Sequence, residues 1–202
     1  MKTENAIITQ SDKGKTIVTI DSKEYSSNVH SFTTANNFNT LNKDPTNKFQ
    51  RSIQKIVKES NLVIDKRQRQ FLLQKKPSAP ILKAQLKLHK IDIPILPVIN
   101  NSITSAHKLS KYLTKISQQH INLNNQYNLN NSINLANDLI NIPAQDNYRM
   151  ITFDIKDLYV NIPIDETINI IKTKLQQNNN TMITHQIISL IRTVLLQNYF
   201  TF

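Results

Sequence analysis

A single glycine, Gly14, serves all 202 residues of this chain. Average usage of about 7% would place roughly fourteen in a chain this long. Glycine lets a backbone close on a phosphate or take a strained turn. A P-loop, a dinucleotide-binding Gly-x-Gly-x-x-Gly turn and a Gly-x-Ser-x-Gly nucleophile elbow each need two or more, so all three are excluded. Cysteine is absent altogether, which removes disulfides, thiolate zinc sites and a cysteine nucleophile, and fits an intracellular chain. The 26 asparagines, with abundant isoleucine and lysine, follow from A/T-rich codons, and the same bias thins glycine. At 39% apolar residues the chain can bury one real core or two small ones. No run of about eighteen apolar residues exists, so no membrane span is expected, and the start MKTENAIITQ lacks the apolar stretch of a signal peptide.

The net charge of +11 is unevenly placed. Residues 1–120 hold 20 Lys+Arg against 8 Asp+Glu, net +12, whereas residues 121–202 hold 5 against 6, net −1. Between Lys66 and Lys90 stand eight basic residues (Lys66, Arg67, Arg69, Lys75, Lys76, Lys83, Lys87 and Lys90) and no acidic one. A field of one sign recruits polyanions, and each phosphate contact releases a counterion, so nucleic acid is the first partner to consider. A lysine-rich solvated face and an anionic membrane surface are the other readings of charge alone.

The pattern along the chain is mixed. Lys15 to Asp21 alternates and is β-branched, which predicts a strand with Ile17 and Thr19 on one face, entered by a turn at Asp12-Lys13-Gly14-Lys15. Helical spacing of Phe49, Ile53, Ile56 and Val57 predicts a helix from Thr46 to about Leu62, and Asp65 is placed to cap a short one reaching Leu73. After the break at Lys76 to Pro80, residues 81–100 read as extended, Pro94 and Pro97 favouring an edge hairpin or a loop. A helix carrying Ala106, Leu109, Leu113 and Ile116 follows, with Ser102 or Thr104 as cap, then an asparagine-rich loop over 118–130 and a short helix over 132–139. Arg149 to Ile155 predicts a buried strand that ends in acid. Two helices close the chain, one capped by Asp165 with Ile168, Ile171 and Leu175, one capped by Thr184 with Ile187, Ile191 and Val194, and Asn198 to Phe202 opens a further strand. The order of elements predicts an α+β fold, a sheet packed with helices.

Chemistry concentrates in the segment from Phe153 to Pro163, FDIKDLYVNIP. A carboxylate at the end of an apolar strand is costly unless it faces water or a cation. Asp154 is therefore read either as a magnesium ligand, which shares its shell with waters and substrate phosphates, or as the cap of a turn. The histidines at 30, 89, 107, 120 and 185 show no metal-ligand spacing.

Phe-Asp-Ile-Lys-Asp-Leu-Tyr-Val-Asn-Ile-Pro resembles the first catalytic motif of reverse transcriptases from Penelope-like and related non-viral retroelements, typically Asp-Val-x-Ser-Leu-Tyr-Thr-Asn-Ile-Pro. Leu86-Lys87-Leu88-His89-Lys90, followed by Pro94-Ile95-Leu96-Pro97-Val98-Ile99-Asn100, is similar to the family's Leu-Pro-Lys-Ile-His-Lys … Pro-Leu-Arg-Pro-Ile-Val-Ser fingers motif. Asp12-Lys13-Gly14-Lys15 and the strand through Ile20 are similar to its Ala-Asp-Lys-Gly-Gly … Val-Val opening. The three follow the family's order and span about residues 7–202.

The resemblance implies a partial right-hand polymerase, fingers plus incomplete palm, helix-rich with a small antiparallel sheet. Residues 1–100 would form a basic N-terminal and fingers segment and 101–202 the fingers and palm helices with the first catalytic strand. It implies Asp154 as the catalytic ligand of two Mg2+ ions, Asp157 and Leu158 as backbone donors to an incoming triphosphate, and Tyr159 as the aromatic under the deoxyribose. Lys87 and Lys90 become candidates for triphosphate or template phosphates, and His89 a structural residue of the motif. RNA template, DNA primer and deoxynucleoside triphosphates are the implied partners. The departures are specific. Leu96 stands where the fingers motif has arginine, removing a planar donor fork, and Lys15 stands for the second glycine. The sequence contains no Tyr-x-Asp-Asp, so two of three expected carboxylates are missing, and Asp157, three residues from Asp154, points elsewhere. The expectation is a fragment of an RNA-directed DNA polymerase that does not polymerise alone. The competing expectations are a non-catalytic basic nucleic-acid-binding module, and a basic chain with no specific partner or no stable fold.

Overall fold

The computed structural model describes residues 5–121, 128–129, 131–143, 145, 147–155, 158–178 and 180–202, without the side chain of Tyr159. The first elements are strands β1 (Ala6–Gln10) and β2 (Ile17–Asp21), an antiparallel hairpin with Ile7 opposite Ile20 and Thr9 opposite Val18. Gly14 (φ 78°) and Lys15 (φ 54°) turn the chain in the left-handed region, and the Ser11 amide closes the loop on the Thr16 carbonyl at 2.9 Å. The expected strand is present, and Ile17 and Thr19 share one face as expected, the solvent-exposed one. Val18 and Ile20 face the core, whereas Ile17 is 72% exposed. Alternation alone fits either face; the register with β1, which stacks Ile7 beside Ile20, decides it.

Asp21 ends β2 and caps helix α1 (Ser22–Ala35), its carboxylate accepting from the amides of Lys23 and Glu24. Tyr25, Val29 and Phe32 lay one stripe of α1 on the sheet. A second antiparallel hairpin, β3 (Leu82–Leu86) with β4 (Ile95–Ile99), fills residues 81–100, with Leu82, Ala84, Leu86 and Ile95 buried in the same cluster. Pro97 is accommodated because β4 pairs on one side only. The two hairpins meet where the Asp12 amide donates to the Leu86 carbonyl (3.0 Å) and the Thr9 hydroxyl to that of Ala84 (2.9 Å). The Tyr25 hydroxyl accepts from the Ala84 amide at 2.7 Å, fixing α1 to β3.

A second, larger cluster is helical. Helices α2 (Thr46–Glu59), α3 (Lys66–Leu72), α4 (His107–His120), α7 (Ile164–Gln176) and α8 (Thr181–Leu195) bury Ile53, Val57, Leu109, Leu113, Leu175, Ile187 and Leu190 together. Asp65 caps α3 as expected, completing a capping box with Gln68. The other caps differ. Helix α4 starts at Ala106 without a side-chain cap, Pro163 precedes α7 and leaves Asp165 in its first turn, and Asn180 caps α8 one turn before Thr184, which is buried inside the helix. Between α4 and α7 lie α5 (Ser132–Ile140) and the four-residue α6 (Leu158–Asn161). Most of the expected asparagine-rich loop lies outside the described residues; Gln118 to His120 end α4. The protein is thus α+β and helix-rich, with two small antiparallel sheets.

Residues 199–202 bind both clusters. Tyr199 packs on Phe49 of α2 (ring centroids 5.0 Å), Phe200 on Phe38 (5.3 Å) and Phe202 on Tyr25 of α1 (5.9 Å). The Leu82 amide donates to the Thr201 carbonyl at 2.9 Å, and the Thr201 amide to that of Pro80 at 2.8 Å. The strand expected at the end of the chain is therefore a single parallel bridge, Ile81 with Thr201. No described helix is long and apolar enough to cross a membrane.

Candidate functional site

The segment around Asp154 departs from expectation. Arg149 to Ile155 carries strand-forming residues yet forms no strand, and its apolar side chains face solvent, Phe153 at 92% exposure and Ile151 at 69%. A strand exists only through a partner that satisfies its amides and carbonyls, and no described strand lies beside this one. Asp154 is exposed, and its Oδ1 accepts from the amide of its own neighbour, Ile155, at 2.9 Å. Leu158 opens α6 and is 40% exposed. Asp157 lies outside the described residues, as does the side chain of Tyr159.

The second candidate group is ordered. Lys87 leaves β3, its amide donating to the Pro94 carbonyl at 2.9 Å. A tight turn follows, the Lys90 amide bonding to the Lys87 carbonyl (2.9 Å) and the Ile93 amide to that of Lys90 (3.2 Å), with His89 and Lys90 exposed. Ile93 has φ 41°, a costly conformation for a β-branched residue. The Leu86 end of this hairpin is hydrogen-bonded to Asp12, so the Asp12–Lys15 turn and the Lys87–Lys90 turn are neighbours. Two of the three segments that carry the family resemblance therefore meet. The third, around Asp154, is brought to neither by any described hydrogen bond.

The remaining basic residues divide between elements. Lys66, Arg67 and Arg69 lie on α3, Lys75 and Lys76 in the turn after it, and Lys83 on the solvent face of β3. Among the described residues the ion pairs are Lys55–Glu59 and Arg192–Asp165, so none of the eight basic residues from Lys66 to Lys90 is neutralised by an acid. Arg69 and Lys87 are half-withdrawn, and the Nε of Arg69 is buried without a partner.

Among the described residues no three His, Asp or Glu side chains are gathered as metal ligands. Sequence reading missed the network Tyr199–Thr46–Asp44. The Thr46 hydroxyl donates to Asp44 Oδ1 at 2.6 Å, which leaves the Tyr199 hydroxyl to donate to Thr46 at 2.9 Å. Its members are 155 positions apart at most and share no periodicity, so no local pattern could disclose them. No protein-family model, curated protein or solved structure matches the chain.

Proposed function

We propose that this chain is the fingers and first palm segment of a retroelement reverse transcriptase, and that what it does by itself is bind nucleic acid through the basic stretch Lys66–Lys90. The observation that carries the reading is the Asp12–Lys15 turn. Gly14 and Lys15 both adopt positive φ, the conformation that favours glycine, at the two positions where the resembling motif has consecutive glycines. That turn is hydrogen-bonded to the end of the Leu86–Lys90 segment, so two motifs far apart in sequence form one corner, rich in unpaired lysine.

The described residues do not fit a magnesium pair. Asp154 is a single exposed carboxylate, with no cluster of three ligands around it, and Leu96 offers no donor to a triphosphate. RNA template, DNA primer and deoxynucleoside triphosphates are partners that the reading supplies, and the unpaired cations support the polyanions among them. The same cations favour the non-catalytic binding module as the second reading.

Fluorescence anisotropy with a single-stranded RNA separates these from an inert basic surface. If about six to eight phosphates are neutralised, affinity falls by about 10² to 10³ between 50 and 200 mM salt. A flat response would refute binding through this stretch. A primer-extension assay with magnesium and deoxynucleotides is expected to yield no product. Extension that disappears in Asp154→Asn would overturn the non-catalytic half of the proposal.

A further inference from the structure

Helix α5 is amphipathic and unpacked. With 3.6 residues per turn, Leu135, Leu139, Ala136, Ile140 and Ile133 occupy an arc of about 160°, with Asn134, Asn137 and Asp138 opposite. None of its nine residues is buried, and Ile133 and Ile140 are 72% and 79% exposed. A free helix this short is marginal in water, so the apolar stripe calls for a surface. An anionic membrane is a poor one, because the polar face has no lysine or arginine.

A matching surface lies within the chain. Helices α4, α7 and α8 leave a groove of about 860 Å³ floored by Leu113, Ile171, Ile191 and Val194 and edged by uncharged groups such as Thr114 and Ser117. We propose that α5 is a strap that folds back into this groove, apolar arc inward and Asp138 outward. The structure has the undocked arrangement. Ile121, at the end of α4, lines the groove, and Ser132 begins α5 eleven residues later. Eleven residues reach at most about 36–40 Å, whereas the fourteen residues of α4 are only about 21 Å long, so the whole groove is within reach. A short tether also gives the chain's own helix a local concentration of about millimolar, which favours it over a second copy or a foreign helix. The proposal is independent of the polymerase reading.

The absence of cysteine makes the test clean. In the double variant Ser117→Cys/Ala136→Cys, mild oxidation is expected to give an intramolecular disulfide. In Ser117→Cys/Asn134→Cys, which places the thiol on the polar face, bonding should be about tenfold slower. Equal rates, no bond, or bonds only between chains would overturn the proposal, the last showing a second copy as occupant. Hydrogen exchange on the unsubstituted protein is the second measurement. Protection of the α5 amides is expected, and exchange at the rate of an open chain would overturn docking whatever the variants do.

Discussion

Asp44 shows how much a single exposed residue can report. Its carboxyl is held below the usual 3.8, first by the hydrogen bond from the Thr46 hydroxyl and then by that from the Thr46 amide. The folded state therefore favours the ionised form. The stabilisation is complete above the unfolded value and is lost as pH falls through the lowered folded one. Tyr199, at the other end of the same chain of hydroxyls, is held above the usual 10.0 chiefly by burial, so its contribution is complete below pH 10 and is lost above it. Thermal melts across pH should show stability dropping below about pH 4, and Asp44→Asn should flatten that acid limb. Identical acid limbs in the two proteins would show that the Thr46 bonds carry no pH-dependent stability. Since Asp44 is exposed, the difference is expected to be small.

At the scale of elements, the hairpin turn gives the sharper expectation. Lys15 holds φ 54° at a cost of about 1 kcal/mol relative to glycine, of which the greater freedom of an unfolded glycine returns part. Lys15→Gly should therefore leave stability unchanged or raise it by up to about 1 kcal/mol in urea unfolding. Clear destabilisation would mean that the Lys15 side chain does more than turn the backbone. The same scale shows what the sequence could and could not disclose. Helices α2, α4 and α8 were legible because Ile53 and Val57, Leu109 and Leu113, and Ile187 and Ile191 repeat at the helical period. Helix α1 was not, because Tyr25 and Val29 sit among serine, threonine, asparagine and histidine. Arg149 to Ile155 has a strand's composition without a strand's partner, and propensity speaks only to the first. Of the candidate site, the Asp12–Lys15 turn was visible as a turn, whereas Lys87–Lys90 was visible only as a motif within a segment that reads as extended. Their adjacency rests on pairings such as Thr9 with Ala84, 75 positions apart, which leave no periodic trace.

The described residues bury two hydrophobic clusters, and residues 199–202 touch elements of both. Tyr199 belongs to the helical side through Phe49 and Thr46, while Phe200 and Phe202 belong to the sheet side through Phe38 and Tyr25. Removing 199–202 is expected to uncouple them, so that calorimetry resolves two transitions where the intact chain gives one. A single transition in the shortened chain would assign the coupling to other contacts.

That arrangement bears on how the protein is made. A ribosome releases the β1–β2 hairpin and α1 well before residues 199–202, so Tyr25 awaits Phe202 and Thr46 awaits Tyr199, separations of 177 and 153 positions. The sheet side does not acquire its last neighbour until Phe202 has been made, and the helical side waits for Tyr199. While the intervening residues are made, the nascent chain therefore carries two unfinished apolar surfaces, and closes them by long-range contacts of the kind that form slowly.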